Sequence, residues 1–102
     1  MDMKKMMKQA QKMQRDAVAA QQEIAAMTFE ASAGGGMVKA TATGEMAITD
    51  ITIDPAAVDP EDVEMLQDMV VAAVNEALRA ASEAANARMN AVMGGMKIPG
   101  LM

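Results

Sequence analysis

A chain of 102 residues, 52% apolar, with net charge −5 and no cysteine, is one small domain with a limited core of its own. Lack of cysteine excludes a disulfide framework and a zinc–thiolate site. Lack of His, Cys and Tyr, with no plausible buried carboxylate pair, predicts a protein that is not an enzyme and needs no cofactor or small-molecule substrate.

The apolar residues are mostly Ala, Met and Val, with Phe29 the single aromatic. Such small side chains fill little volume, so stability must come from long continuous seams or from a second chain. No run of about 18 apolar residues appears, so nothing spans a membrane. The N-terminus carries lysines but no apolar core or cleavage site, which argues against a signal peptide. The charge is divided. Residues 1–15 hold Lys4, Lys5, Lys8, Lys12 and Arg15 against Asp2, a net of +4, and the remaining 87 residues carry −9. A basic end on an acidic body directs attention to a polyanion partner.

In chain order, Met3, Met6, Ala10, Met13, Ala17, Ala20, Ile24 and Met27 alternate at spacings of three and four. That is a heptad seam, and it predicts a helix over 3–27 whose partner is another helix. At about 1.5 Å per residue it is a rod of roughly 36 Å. Lys4, Lys8, Lys12 and Arg15 line one face of it away from the seam. Strands are predicted over 28–33, 37–43 and 46–53, joined by turns at Gly34-Gly35-Gly36 and near Gly44-Glu45. Ile48 is out of phase with Ile51 and Ile53, so a bulge is expected near Thr49-Asp50. In Asp59-Pro60-Glu61-Asp62, Asp59 reads as an N-cap and Pro60 as the first residue of a second helix over 60–92. That helix has two apolar seams. One is Val63, Leu66, Val70, Ala73, Ala77, Ala80 and Ala84; the other is Val71, Val74, Leu78, Ala81, Ala85, Met89 and Val92. Two seams imply two partners, and Val71, Val74, Leu78 and Ala81 are the candidates for a dimer interface. The whole is a single domain over 1–93 with a flexible tail over 94–102.

Several features have plain structural explanations. The triple glycine is followed by a strand, without a Gly-Lys-Ser/Thr sequence, so it is a hairpin turn and not a phosphate cradle. Methionines at heptad spacing fill a seam. Asp59, Glu61, Asp62 and Glu64 cap a helix and form no metal site. The lysine row admits two readings, a surface for DNA phosphates or the solvated face of a coiled coil. With one aromatic there is little to stack on unpaired bases, which disfavours a single-strand or RNA reader.

Taken together, the chain resembles the YbaB/EbfC family of small bacterial nucleoid-associated proteins. The resemblance runs through Met1-Asp2-Met3-Lys4-Lys5-Met6-Met7-Lys8-Gln9-Ala10, Ser32-Ala33-Gly34-Gly35-Gly36-Met37-Val38-Lys39, Ile53-Asp54-Pro55, Asp59-Pro60-Glu61-Asp62-Val63-Glu64-Met65-Leu66 and Val71-Ala72-Ala73-Val74-Asn75-Glu76-Ala77. It extends to Gly94-Gly95 and Ile98-Pro99-Gly100-Leu101. It implies an α+β fold, an α-β-β-β-α subunit, a tweezer-like homodimer in the bacterial cytoplasm and nucleoid, and binding to double-stranded DNA. The second turn departs from the family's Asn-Gly-x-Gly, reading Thr43-Gly44-Glu45-Met46, and Ala40 and Ala42 stand where larger β-branched residues are usual. On this reading Lys4, Lys5, Lys8, Lys12 and Arg15 contact DNA. Arg79 and Arg88 are secondary candidates, because Glu76 and Glu83 lie close enough in sequence to pair with them. The competing expectation is a coiled-coil adaptor for another protein, with no DNA role.

Overall fold

The computed structural model describes residues 2–94. Helix α1 spans Met3–Ala26, strands β1, β2 and β3 span Thr28–Ala33, Val38–Thr43 and Ile48–Ile53, and helix α2 spans Val63–Gly94. This is the expected α-β-β-β-α order. The expected tail over 94–102 lies outside the described residues apart from Gly94, which closes α2.

The strands form one antiparallel sheet in the order β1-β2-β3. Because β2 is central, its inward residues Val38, Ala40 and Ala42 are all buried. They meet Ala73, Ala77 and Ala81 of α2, each fully buried. Residues four apart stack along one face of a helix, so these three alanines form a smooth stripe. An alanine stripe on alanines lets helix and sheet backbones approach closely. The small residues of β2 are therefore matched by small residues on α2.

Thr41 pairs with Asp50 while Ala42 pairs with Ile48, which leaves Thr49 as the extra residue of a β-bulge. The bulge returns Ile48 to the helix-covered face, where it packs on the core. Ile51 and Ile53 lie opposite Ala40 and Val38 but remain exposed, since α2 lies over β1 and β2.

The first turn falls where expected, and the second accounts for a departure. Gly34, Gly35 and Gly36 all adopt positive φ, at 62°, 69° and 92°, a region that side chains with a Cβ rarely enter. The second turn is wider than predicted, so β3 starts at Ile48 and not at residue 46. Thr43 accepts from the Met46 N–H at 3.0 Å, and its own N–H donates to the Ala47 carbonyl at 2.8 Å. Met46, at the place where the family carries its second glycine, has φ 65°. Gly44 donates its N–H to the Met27 carbonyl at 3.2 Å, and a Cβ there would collide with the Ile24 carbonyl. This turn is thereby fastened to the end of α1.

The start of α2 also differs from expectation. The Asp59 side chain accepts from the Glu61 N–H at 2.9 Å, and its carbonyl accepts from the Asp62 N–H at 3.0 Å. Asp59 thus caps an isolated turn. Asp62 caps the helix itself, accepting from the Met65 N–H at 3.2 Å, so α2 begins at Val63 with Pro60 outside it. The helix uses its two partners in succession: its first half lies on the sheet, and its second half runs antiparallel to α1. The subunit is accordingly long and thin, 72 × 26 × 16 Å. Among the described residues, no helix is long and apolar enough to cross a membrane.

Two substitutions test these turns by thermal or urea unfolding. Gly44→Ala should destabilise by about 1–3 kcal/mol, because the new methyl group displaces backbone. Met46→Gly should stabilise by about 0.5–1 kcal/mol, as relief of the left-handed strain outweighs the added freedom of the unfolded chain.

Candidate nucleic-acid interface

Helix α1 is anchored at one end only. Ala20 and Ile24 are buried and Met13 and Ala17 are half-buried, but every residue from Asp2 to Lys12 is exposed. The anchoring fits the geometry. Gln9 and Met13 of α1 lie across from Ala91 and Val92 near the end of α2, and the first turns of α1 continue past them. Asp2 caps this free end, its carboxylate accepting from the Lys4 N–H at 3.0 Å, and the helix formers that follow sustain the rod.

Lys4, Lys5, Lys8, Lys12 and Arg15 all sit on this arm and all are exposed. Among the described residues, none of the five is in an ion pair. Successive positions four apart rise about 6 Å along the helix, so Lys4, Lys8 and Lys12 form an evenly spaced file of positive charge. The same helix leaves Met3, 71% exposed, and Met6, 50% exposed, on its uncovered seam.

The two arginines of α2 are placed differently from the arm. Arg79 is held by its own helix: its Nε donates to Glu76 at 3.0 Å, and its two Nη atoms reach Glu76 and Glu83. This is the pairing expected from sequence. Arg88 does not use Glu83. Its Nε donates to Glu23 of α1 at 2.9 Å, joining residues 65 apart in the chain. Asp16 lines the same interhelix cleft. Asp16 and Glu23 are seven residues apart, the spacing of heptad positions that flank a seam and pair with a facing helix. That was the available signal for the Arg88 contact, and reading only neighbours within α2 missed it.

These contacts shift the acids and bases in a consistent direction. The Arg88 hydrogen bond holds the Glu23 carboxyl below its usual value of 4.5, and the Arg79 bond does the same for Glu76. The same bonds raise both arginines, so they stay charged.

The proposed pairing surface is distributed unevenly. Val71 is 57% exposed, Val74 and Leu78 are half-buried against the core, and Ala81 is fully buried under the sheet. Among the described residues, no group of acids or other ligands is arranged to hold a metal ion.

Fold and surface together define a class: a small α-β-β-β-α subunit that extends a cationic helical arm from an acidic body. The fold is shared with the crystal structure of an uncharacterized protein from Helicobacter pylori, with a TM-score of 0.73 at 23% identity, covering 95% of this chain and 99% of that one. The model of the YbaB/EbfC DNA-binding family matches residues 1–96, and the chain belongs to that family. Relatives agree. A nucleoid-associated protein of Pelotomaculum thermopropionicum is 54% identical over 100 residues, 98% of this chain and 95% of its own. Another, from Acetivibrio thermocellus, is 57% identical over 97 residues, 94% of this chain and 86% of its own.

The pKa directions yield a prediction with a definite sign. A carboxyl whose folded value is lowered stabilises the fold above its unfolded value, and loses that contribution as pH falls through the folded one. The melting temperature of the wild type should therefore fall more steeply below about pH 4.5 than that of a Glu23→Gln/Glu76→Gln double variant. Parallel melting curves for the two proteins would refute the assignment.

Proposed function

We propose that the protein is a nucleoid-associated protein that binds double-stranded DNA as a homodimer, largely through phosphate contacts, in nucleoid organisation or gene regulation. The observation that carries this reading is the arm: Lys4, Lys5, Lys8, Lys12 and Arg15 are exposed on one projecting helix, and none is ion-paired among the described residues. Lysine and arginine on phosphates supply affinity with little dependence on sequence. The acidic body repels the duplex, so contact begins at the arms and affinity is limited. Dissociation constants are expected to be micromolar or weaker on non-specific DNA. Arg79, held by two glutamates, contributes less.

Dimerisation is supported by apolar area that one subunit leaves uncovered. Val71 on α2, Ile51 and Ile53 on β3, and Met3 and Met6 of the α1 seam are all exposed. Val71, Val74 and Leu78 form the α2 part of the proposed interface, and Ala81 supports it from below. Two subunits would present two cationic arms to one duplex. The uncovered methionine seam also favours a second reading, a coiled-coil adaptor that docks a partner helix. Salt separates the two, since apolar seams survive conditions that release phosphate contacts.

A gel-shift salt series on duplex DNA, with light scattering for the dimer, tests the proposal. Changing the five arm residues to Gln should abolish binding at moderate salt. In the wild type the logarithm of affinity should fall linearly with the logarithm of salt, with a slope that flattens by about 0.9 for each phosphate contact removed. Unchanged affinity and slope in the variant would remove the arm as the DNA site.

A further inference from the structure

The two helices enclose a cleft of about 550 Å³ near the base of the arm, and its charged lining comes from both sides. Helix α1 contributes Lys12, Asp16 and Glu23, and α2 contributes Arg88. Lys12 belongs to the arm's cationic file. The cleft is thus where that file comes beside a cation from the second helix.

Arg79 and Arg88 differ in how much of their donor capacity is taken. Arg79 has Nε and both Nη atoms engaged by glutamates. Arg88 gives only its Nε to Glu23, and among the described residues its two Nη groups have no hydrogen-bond partner. A guanidinium fork donates to carboxylate and phosphate oxygens with the same geometry. The Glu23–Arg88 pair is also within reach of solvent, with side chains 57% and 41% exposed.

We propose that Glu23 is a displaceable guard on Arg88. A backbone phosphate of duplex DNA replaces the Glu23 carboxylate on the guanidinium, and Lys12 holds the same stretch of backbone from the opposite wall of the cleft. The proposal rests on the DNA-binding reading above. In the free protein, Glu23 and Asp16 repel phosphates from the cleft. A duplex already held by the arms supplies the local phosphate concentration needed to compete with Glu23. Arg88 then joins the interface after the arm cations, and Glu23 sets how readily it does so.

The test is a double-mutant cycle in the full chain, read by duplex-DNA affinity across a salt series, with circular dichroism to confirm unchanged helix content. Glu23→Gln should tighten binding by about fivefold at low salt, and steepen the salt slope by about 0.9 for each Arg88 that reaches a phosphate. Adding Arg88→Gln should erase both gains. Glu61→Gln, the same charge change in the turn that precedes α2, controls for general repulsion and should change affinity less than twofold. The guard is overturned if Glu23→Gln matches Glu61→Gln, or if its gain survives Arg88→Gln. Absence of DNA binding in the wild type and every variant would instead overturn the DNA-binding reading itself.

Discussion

Everything in this subunit depends on the contact between two rows of alanines. Ala40 and Ala42 of β2 meet Ala73, Ala77 and Ala81 of α2 with no exposed surface left between them. Side chains this small contribute little hydrophobic stabilisation each, but they bring helix and sheet close enough for tight packing over several turns. That contact fixes the direction of α2. The direction of α2 determines where its second half leaves the sheet, and this in turn is what α1 has to pack against. Arg88 and Glu23 then join the two helices beyond the sheet.

The same arrangement separates stability from surface charge. The stretch of α1 from Met13 to Ile24 carries its packing through Met13, Ala17, Ala20 and Ile24, and the exposed stretch from Met3 to Lys12 carries most of its basic side chains. Only one end of the helix is bound to the body. A helix free at one end relies on its own propensity and on its cap, and here Asp2 provides the cap.

Much of this was legible in the sequence because the signals were periodic. The heptad spacing from Met3 to Met27 located α1 to within one residue. The phase slip between Ile48 and Ile51 located the bulge, which the register places at Thr49. Punctuation was harder to read. Two aspartates three residues apart can each cap a helix, and the choice of Asp62 over Asp59 moved the start of α2 from 60 to 63. Met46 in the left-handed region could not be expected from its side chain, since only the surrounding turn imposes that conformation. The exposed placement of the five basic residues on α1 and the pairing of Arg79 were readable from local spacing. The partner of Arg88 was not, because it comes from the other end of the chain and depends on how α1 lies along α2. Ala81 was assigned to an outer seam by periodicity, but it falls on the same face as Ala73 and Ala77, four and eight residues back, and is buried with them against β2.

An arm that contributes nothing to the core has an evolutionary consequence. Exposed residues on it can be gained, lost or exchanged without altering the packing of the body. The charge that the arm presents and the durability of the fold are therefore open to separate selection, so that one can change while the other is preserved.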